Sequence, residues 1–241
     1  MCNLSIAIGV VSIGRVHKGV ATPGRRRQTK SDVVTDQRTP PILLGDAPAL
    51  DFLNSIATPV DTVVDWISNG EGYLSWLAQA TLVPEDVLRD MRARALPGEL
   101  DKVADQARSL REWFRSFVRS HQGRPLRAGA LAELAPLNRL LERDEMFSRI
   151  AFRPIGREPF ALEPVRRWRS PDALLIPVGE ALASLVCSED FSNIKACEGS
   201  VCTLLFADHT RGRQRRWCSM AICGNRAKQA AHRHRLRVRR P

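Results

Sequence analysis

Between Leu44 and Ser188 apolar residues recur mostly at spacings of three and four, the signature of helices that bury one face. The longest such run is 99–121, where Leu100, Val103, Ala107, Leu110, Trp113 (or Phe114), Phe117 and Val118 form one stripe and Gln122-Gly123 ends it. Tyr73, Leu74, Trp76 and Leu77 form a shorter stripe over 73–80, with Gly70 and Gly72 reading as a break in the chain before it. Pro84 followed by Glu85 and Asp86 starts another helix, which Pro97-Gly98 stops near Leu96. In 128–143 the stripe is Leu131, Leu134, Leu137, Leu140 and Leu141, and Pro136 within it predicts a kink. Ser170-Pro171-Asp172 restarts a helix to Ser188, with Leu174, Leu175, Val178, Leu182, Leu185 and Val186 inward and Pro177 awkwardly placed. Cys187, beside that stripe, reads as a small core residue. Upstream, 44–55 supplies Leu50, Phe52 and Leu53, with Asp51 as a cap.

The period shortens between these helices. Residues 146–153 and 160–168 partly alternate and are separated by Pro154, Gly156 and Pro159, which predicts a β-hairpin. Residues 1–42 show no sustained period. With Gly19, Pro23, Gly24, Arg25-Arg26-Arg27 and Pro40-Pro41 they read as a disordered basic extension. The apolar run from Leu4 to Gly14 has no basic residue before it and no small-residue cleavage site after it, so it does not read as a signal peptide. No apolar stretch approaches bilayer-spanning length, and the expectation is a cytoplasmic chain without membrane contact.

Charge sharpens the division. The 241 residues carry a formal +11, unevenly spread. Residues 41–194 hold 18 Lys/Arg against 22 acids, whereas residues 195–241 hold 12 against 2. A strongly basic end on a slightly acidic body points to a polyanion partner for that end.

Four of the six cysteines lie in the same basic end: Cys197-x4-Cys202, fifteen residues, then Cys218-x4-Cys223. Two short pairs separated by a hairpin-length segment bring four thiolates to the corners of a tetrahedron, the arrangement Zn2+ takes in structural sites. Four free thiols or two disulfides are the alternatives, and a reducing compartment weighs against the second. Four sulfurs close the coordination sphere, so the expected zinc is structural and no hydrolytic chemistry is expected at it. Arg211, Arg213, Arg215 and Arg216 lie between the pairs, and Arg226, Lys228 and Arg233 follow Cys223. If the last cysteine opens a helix, that helix is basic on several faces and calls for phosphate. Trp217, Leu205 and Phe206 read as the small core of this module, and His209 as a surface residue.

The run from Leu205 to Asp208 and from Arg215 to Lys228, including Cys223-Gly224-Asn225-Arg226, resembles the CGNR zinc finger. In that family the finger follows an ABATE domain, mostly helical, opening with a Leu-Asp-x-x-Asn-Thr motif; Leu50-Asp51-Phe52-Leu53-Asn54-Ser55 is similar, with serine for threonine. The resemblance covers residues 44–235. It implies zinc on Cys197, Cys202, Cys218 and Cys223 and a stress-induced transcription regulator that binds DNA. Thr203 departs from it, standing where glycine is expected after the second cysteine.

The expected fold is therefore mainly α with a small β-hairpin: a helical domain over 43–190, a four-cysteine finger over 191–235, and a basic tail over 236–241. The expected function is DNA-binding transcription regulation, with the helical domain sensing a small molecule or forming a homodimer. RNA association and protein–protein adaptation are the alternatives. An enzyme is not expected: Asp51 and Asn54 could line a ligand pocket, but no nucleophile–base pair or phosphate loop accompanies them.

Overall fold

A computed structural model describes residues 40–44, 46–58, 62–153 and 159–238. These belong to one compact unit, Thr35–Pro241. Most of the expected basic extension (residues 1–39) and the end of the basic tail (239–241) lie outside the described residues.

Seven α-helices and three two-stranded antiparallel ladders are present among the described residues. Helix α1 (Pro48–Leu53) leads into a short ladder of β1 (Ile56–Ala57) and β2 (Val64–Asp65). Helix α2 (Gly70–Gln79) starts three residues earlier than the apolar stripe suggests. Asn69 caps it by accepting from the Gly72 amide at 2.8 Å. Gly70 belongs to its first turn because a Cβ there would lie 2.5 Å from Leu100 Cβ and 2.8 Å from Leu100 carbonyl carbon. The glycine is an approach point between helices, not a break.

Helix α3 (Glu85–Arg94) ends before Pro97-Gly98, and α4 (Glu99–His121) has the bounds its stripe predicts. Helix α4 is the axis of the domain, packing on α1, α2 and α6 (Leu175–Ser188). Phe52, Trp76, Phe114 and Phe117 fill the centre, and the Tyr73 hydroxyl donates to Leu174 O at 2.9 Å, tying α2 to the start of α6. Two arginines of α4 share its inner side. Arg111, 2% exposed, donates to both Asp65 carboxylate oxygens at 2.8 Å and to Ser55 Oγ at 2.9 Å. Arg115 donates to Leu53 O. Together they hold the turn that follows α1.

The break expected at Pro136 is real. Ala128–Leu134 is a 3-10 segment, and α5 (Ala135–Leu141) begins with the proline in its first turn. Pro177 is accommodated likewise: it falls in the first turn of α6, where an amide has no partner within the helix. Cys187 corrects the expectation made for it. It is exposed, because it lies two residues past buried Leu185 and hence about 200° round the helix. The stretch Pro171–Ser188, 18 residues, is apolar enough by composition to cross a membrane, contrary to the sequence reading; half of it is buried within the protein as the core helix α6. Strands β3 (Met146–Phe152) and β4 (Phe160–Arg166) form the expected hairpin.

Candidate metal centre and nucleic-acid interface

The last fifty residues follow from a three-residue ladder. Strands β5 (Ile194–Ala196) and β6 (Leu205–Ala207) pair antiparallel, Lys195 opposite Phe206. Side chains alternate across a strand, so the ladder has two destinations. Ile194, Leu205 and Ala207 enter the core of the helical domain. Leu204 and Phe206 point the other way, into a second cluster with Cys197, Cys218 and Cys223. Ala57 completes that cluster, with Ile42, Leu44, Trp66 and Trp217 packed on it. Ile42 and Leu44 are therefore part of the fold, not the end of a tail, and the Leu44 amide donates to Asp51 Oδ1 at 2.6 Å.

The four cysteines converge as their spacing predicts. One sulfur from each lies within 4.8 Å of the others. Cys202 and Cys218 sulfurs are 3.8 Å apart, and those of Cys218 and Cys223 are 3.6 Å apart. Four thiolates around a zinc at about 2.3 Å place neighbouring sulfurs about 3.75 Å apart, so the donor set fits a tetrahedral ion. Cys197 Sγ also receives the Cys218 amide at 3.3 Å and the Gly199 amide at 3.5 Å, contacts that favour the thiolate. Gly199 is a site of close approach: a Cβ there would lie 3.0 Å from Cys202 Cβ and 3.1 Å from Cys223 Sγ. Thr203 is exposed and does not adopt a positive φ, so the turn accepts a side chain where glycine is expected.

Electrostatics at the cluster call for a cation. A hydrogen bond from Cys218 draws the Cys202 thiol down to about 5, and the same bond, with burial and the Cys202 charge, pushes Cys218 up strongly; burial pushes Cys223 up to about 12. Buried together, the sulfurs resist full ionisation unless a dication compensates them.

Asp208, which the sequence places in the finger's motif without a role, organises the arginine loop. Fully buried, it accepts from Lys195 Nζ at 2.7 Å, Thr210 Oγ1 at 2.6 Å and the Arg215 amide at 2.9 Å. Burial opposes its charge, yet these donors hold its carboxyl well below the usual range. Its sequence cues were its place in the Leu205–Asp208 run and its being one of 2 acids in a segment with 12 bases.

The basic residues divide by environment. Arg215 is turned inward. It reaches both Asp46 oxygens at 3.0 Å, donates to the Trp217 and Cys218 carbonyls, and lies 4.3 Å over the Phe206 ring. It is a brace, and its selection as a phosphate contact is corrected on that ground. Arg211 is exposed, Arg213 rests near Asp190 at 3.9 Å, and Arg216 pairs with Glu198 at 2.6 Å on the surface. After Cys223, within a wide π-turn (Met220–Gly224), comes helix α7 (Asn225–Val238), on which Ala227 is half-buried and Arg226, Lys228, Arg233 and Arg235 are exposed. His209 is exposed and pairs with Glu189 at 2.8 Å.

Asp51 and Asn54 also differ from expectation. Asn54 is fully buried; its Nδ2 donates to Leu205 O at 2.8 Å and its Oδ1 accepts from Leu205 N at 2.9 Å. With Asp51 on Leu44, both polar groups serve the protein itself instead of lining a ligand pocket.

A closed four-cysteine centre joined through a shared ladder to a helical domain defines the class: a two-part chain made of a helical body and a candidate zinc finger. Residues 193–236 match the CGNR zinc finger, and residues 46–189 match ABATE, described as "Putative stress-induced transcription regulator". The chain belongs to the ABATE family and ends in a CGNR finger. A search of curated proteins finds no match to it.

Proposed function

We propose that the chain is a DNA-binding transcription regulator, acting without enzymatic chemistry, whose finger holds one structural Zn2+ on Cys197, Cys202, Cys218 and Cys223. The observation that carries this reading is α7: a helix with five Lys/Arg and no acid over Asn225–Val238, rooted at Cys223, with Arg226, Lys228, Arg233 and Arg235 exposed. A lone helix of that charge repels itself in water and gains by displacing counterions from a phosphate backbone. An α-helix also fits the major groove, where arginine reads guanine edges. When bound, the zinc would cross-link the two cysteine loops and offset about half of the thiolate charge; the chain's own residues do the rest. Arg211, Arg213, Arg216, Arg226, Lys228 and Arg233 form the phosphate-facing set. The surface ion pairs of Arg213 and Arg216 exchange with phosphate at little cost.

Gel-shift titration tests the reading. With about five phosphate contacts, affinity for duplex DNA falls roughly 10²–10³-fold between 50 and 200 mM salt. Chelation of the metal abolishes binding. Equal binding by metal-free protein, or preference for single-stranded RNA over duplex DNA, overturns it.

A further inference from the structure

The β3–β4 hairpin carries its apolar residues on the wrong side for a lone chain. Directly opposed residues share a face, so Met146, Ser148, Ile150 and Phe152 lie with Phe160, Leu162, Pro164 and Arg166. Along β4 exposure alternates as far as Val165: Phe160, Leu162 and Pro164 face solvent, while Ala161, Glu163 and Val165 are half-buried; β3 is exposed throughout except at Ala151. In a sheet packed on its own core the outward positions are the polar ones. Here Met146 is 49% exposed, Ile150 74%, Phe152 65%, Phe160 63% and Leu162 70%. The charges are on the other face, where Arg149 stands opposite Glu163 and Arg153 reaches Glu163 at 3.3 Å. Arg166, the one charge on the apolar face, is occupied by Asp144 and Glu180, both at 2.6 Å.

We propose that this face is the contact between two copies of the chain, the hairpins packing face to face about a two-fold axis. A second copy is the occupant that the chemistry fits. The face holds no unneutralised charge for a polyanion, and it is apolar and necessarily the same on each copy, as an isologous contact requires. At roughly 180 Å² per large side chain, the five expose roughly 550 Å² per copy and about 1,100 Å² per pair. With rim atoms this reaches the lower end of stable interfaces, about 1,200 Å². It is also as large as a single chain ordinarily leaves bare. Two-stranded hairpins are marginal in water without such cover, whereas facing hairpins pack about 10 Å apart with strands within about 30° of parallel.

Sedimentation velocity on the full, metal-loaded chain tests this without reference to DNA. Twice the 26.9 kDa chain mass is expected at micromolar concentration. Ile150→Lys with Leu162→Lys, and independently Ser148→Lys, reduce it to 26.9 kDa while the single copy still unfolds cooperatively, since these side chains touch solvent in the single copy. A wild-type chain that stays at single mass, or variants that remain double, overturns the proposal. So does a wild-type monomer that dimerises only after removal of residues 1–39, which would assign the face to the chain's own N-terminal segment.

Discussion

Asn54 and Leu205 lie 151 residues apart, yet the Asn54 amide pairs with both backbone groups of Leu205 as a neighbouring strand would, at 2.8 and 2.9 Å. The residue that ends the first helical turn of the body thus occupies the free edge of β6, one position from the finger's own Leu204 and Phe206. Asn54→Leu leaves a buried donor and a buried acceptor unpaired, each at about 1–3 kcal/mol. Denaturant unfolding of the metal-loaded protein is expected to show a loss of about 2–4 kcal/mol. A loss under 0.5 kcal/mol would sink the assignment of Asn54 as the latch.

The shared ladder makes metal removal a global event. Ile194, Leu205 and Ala207 are core residues of the helical domain, so chelation is expected to lower hydrogen-exchange protection in α1 and α6 as well as in residues 193–236. Loss confined to 193–236 would mean that the finger is an independent module.

Neighbouring arginines are expected to behave oppositely. Arg215→Gln leaves Asp46 unpaired and costs about 2–3 kcal/mol of stability. Lys228→Gln and Arg233→Gln leave the melting temperature unchanged. Each of the two lowers the salt slope of DNA binding by about 1, uniformly across sequences. Melting curves paired with salt titrations separate the two classes.

Acid should loosen the base of the hairpin. Hydrogen bonding by Arg166 holds the Asp144 carboxyl below its usual range. A depressed carboxylate stabilises the fold above its unfolded pKa, about 3.9, and that contribution fades as pH falls toward the folded value. The stability gap between wild type and Asp144→Asn is therefore full at pH 6 and narrows below about pH 4. Both proteins shed metal there alike, so the difference between them remains readable in parallel denaturation series.

Much of this was legible in the sequence, for a physical reason: period and spacing are local. The bounds of α4, the hairpin, the break at Pro136 and the convergence of Cys197, Cys202, Cys218 and Cys223 all follow from residues within one element or one short loop. What the sequence hid depends on distant partners. Arg111 and Arg115 break an apolar stripe by sequence and complete it by pairing with Asp65 and Leu53. Arg215 and Arg216 are adjacent and chemically identical, and only the position of Asp46, 169 residues upstream of Arg215, makes one a brace. Alternation identified β4 as a strand but could not say which face is turned out.

The β5–β6 ladder has a mechanical consequence. Its alternate side chains are gripped by two different bodies, so α1 cannot shift without drawing on the strand that carries Leu204 and Phe206 against the sulfurs. Coupling of this kind is reciprocal: whatever factor a displacement of α1 imposes on metal affinity, the metal imposes on that displacement. A finger transplanted without its helical half would lose one side of that grip, and with it the burial of Ile194, Leu205 and Ala207.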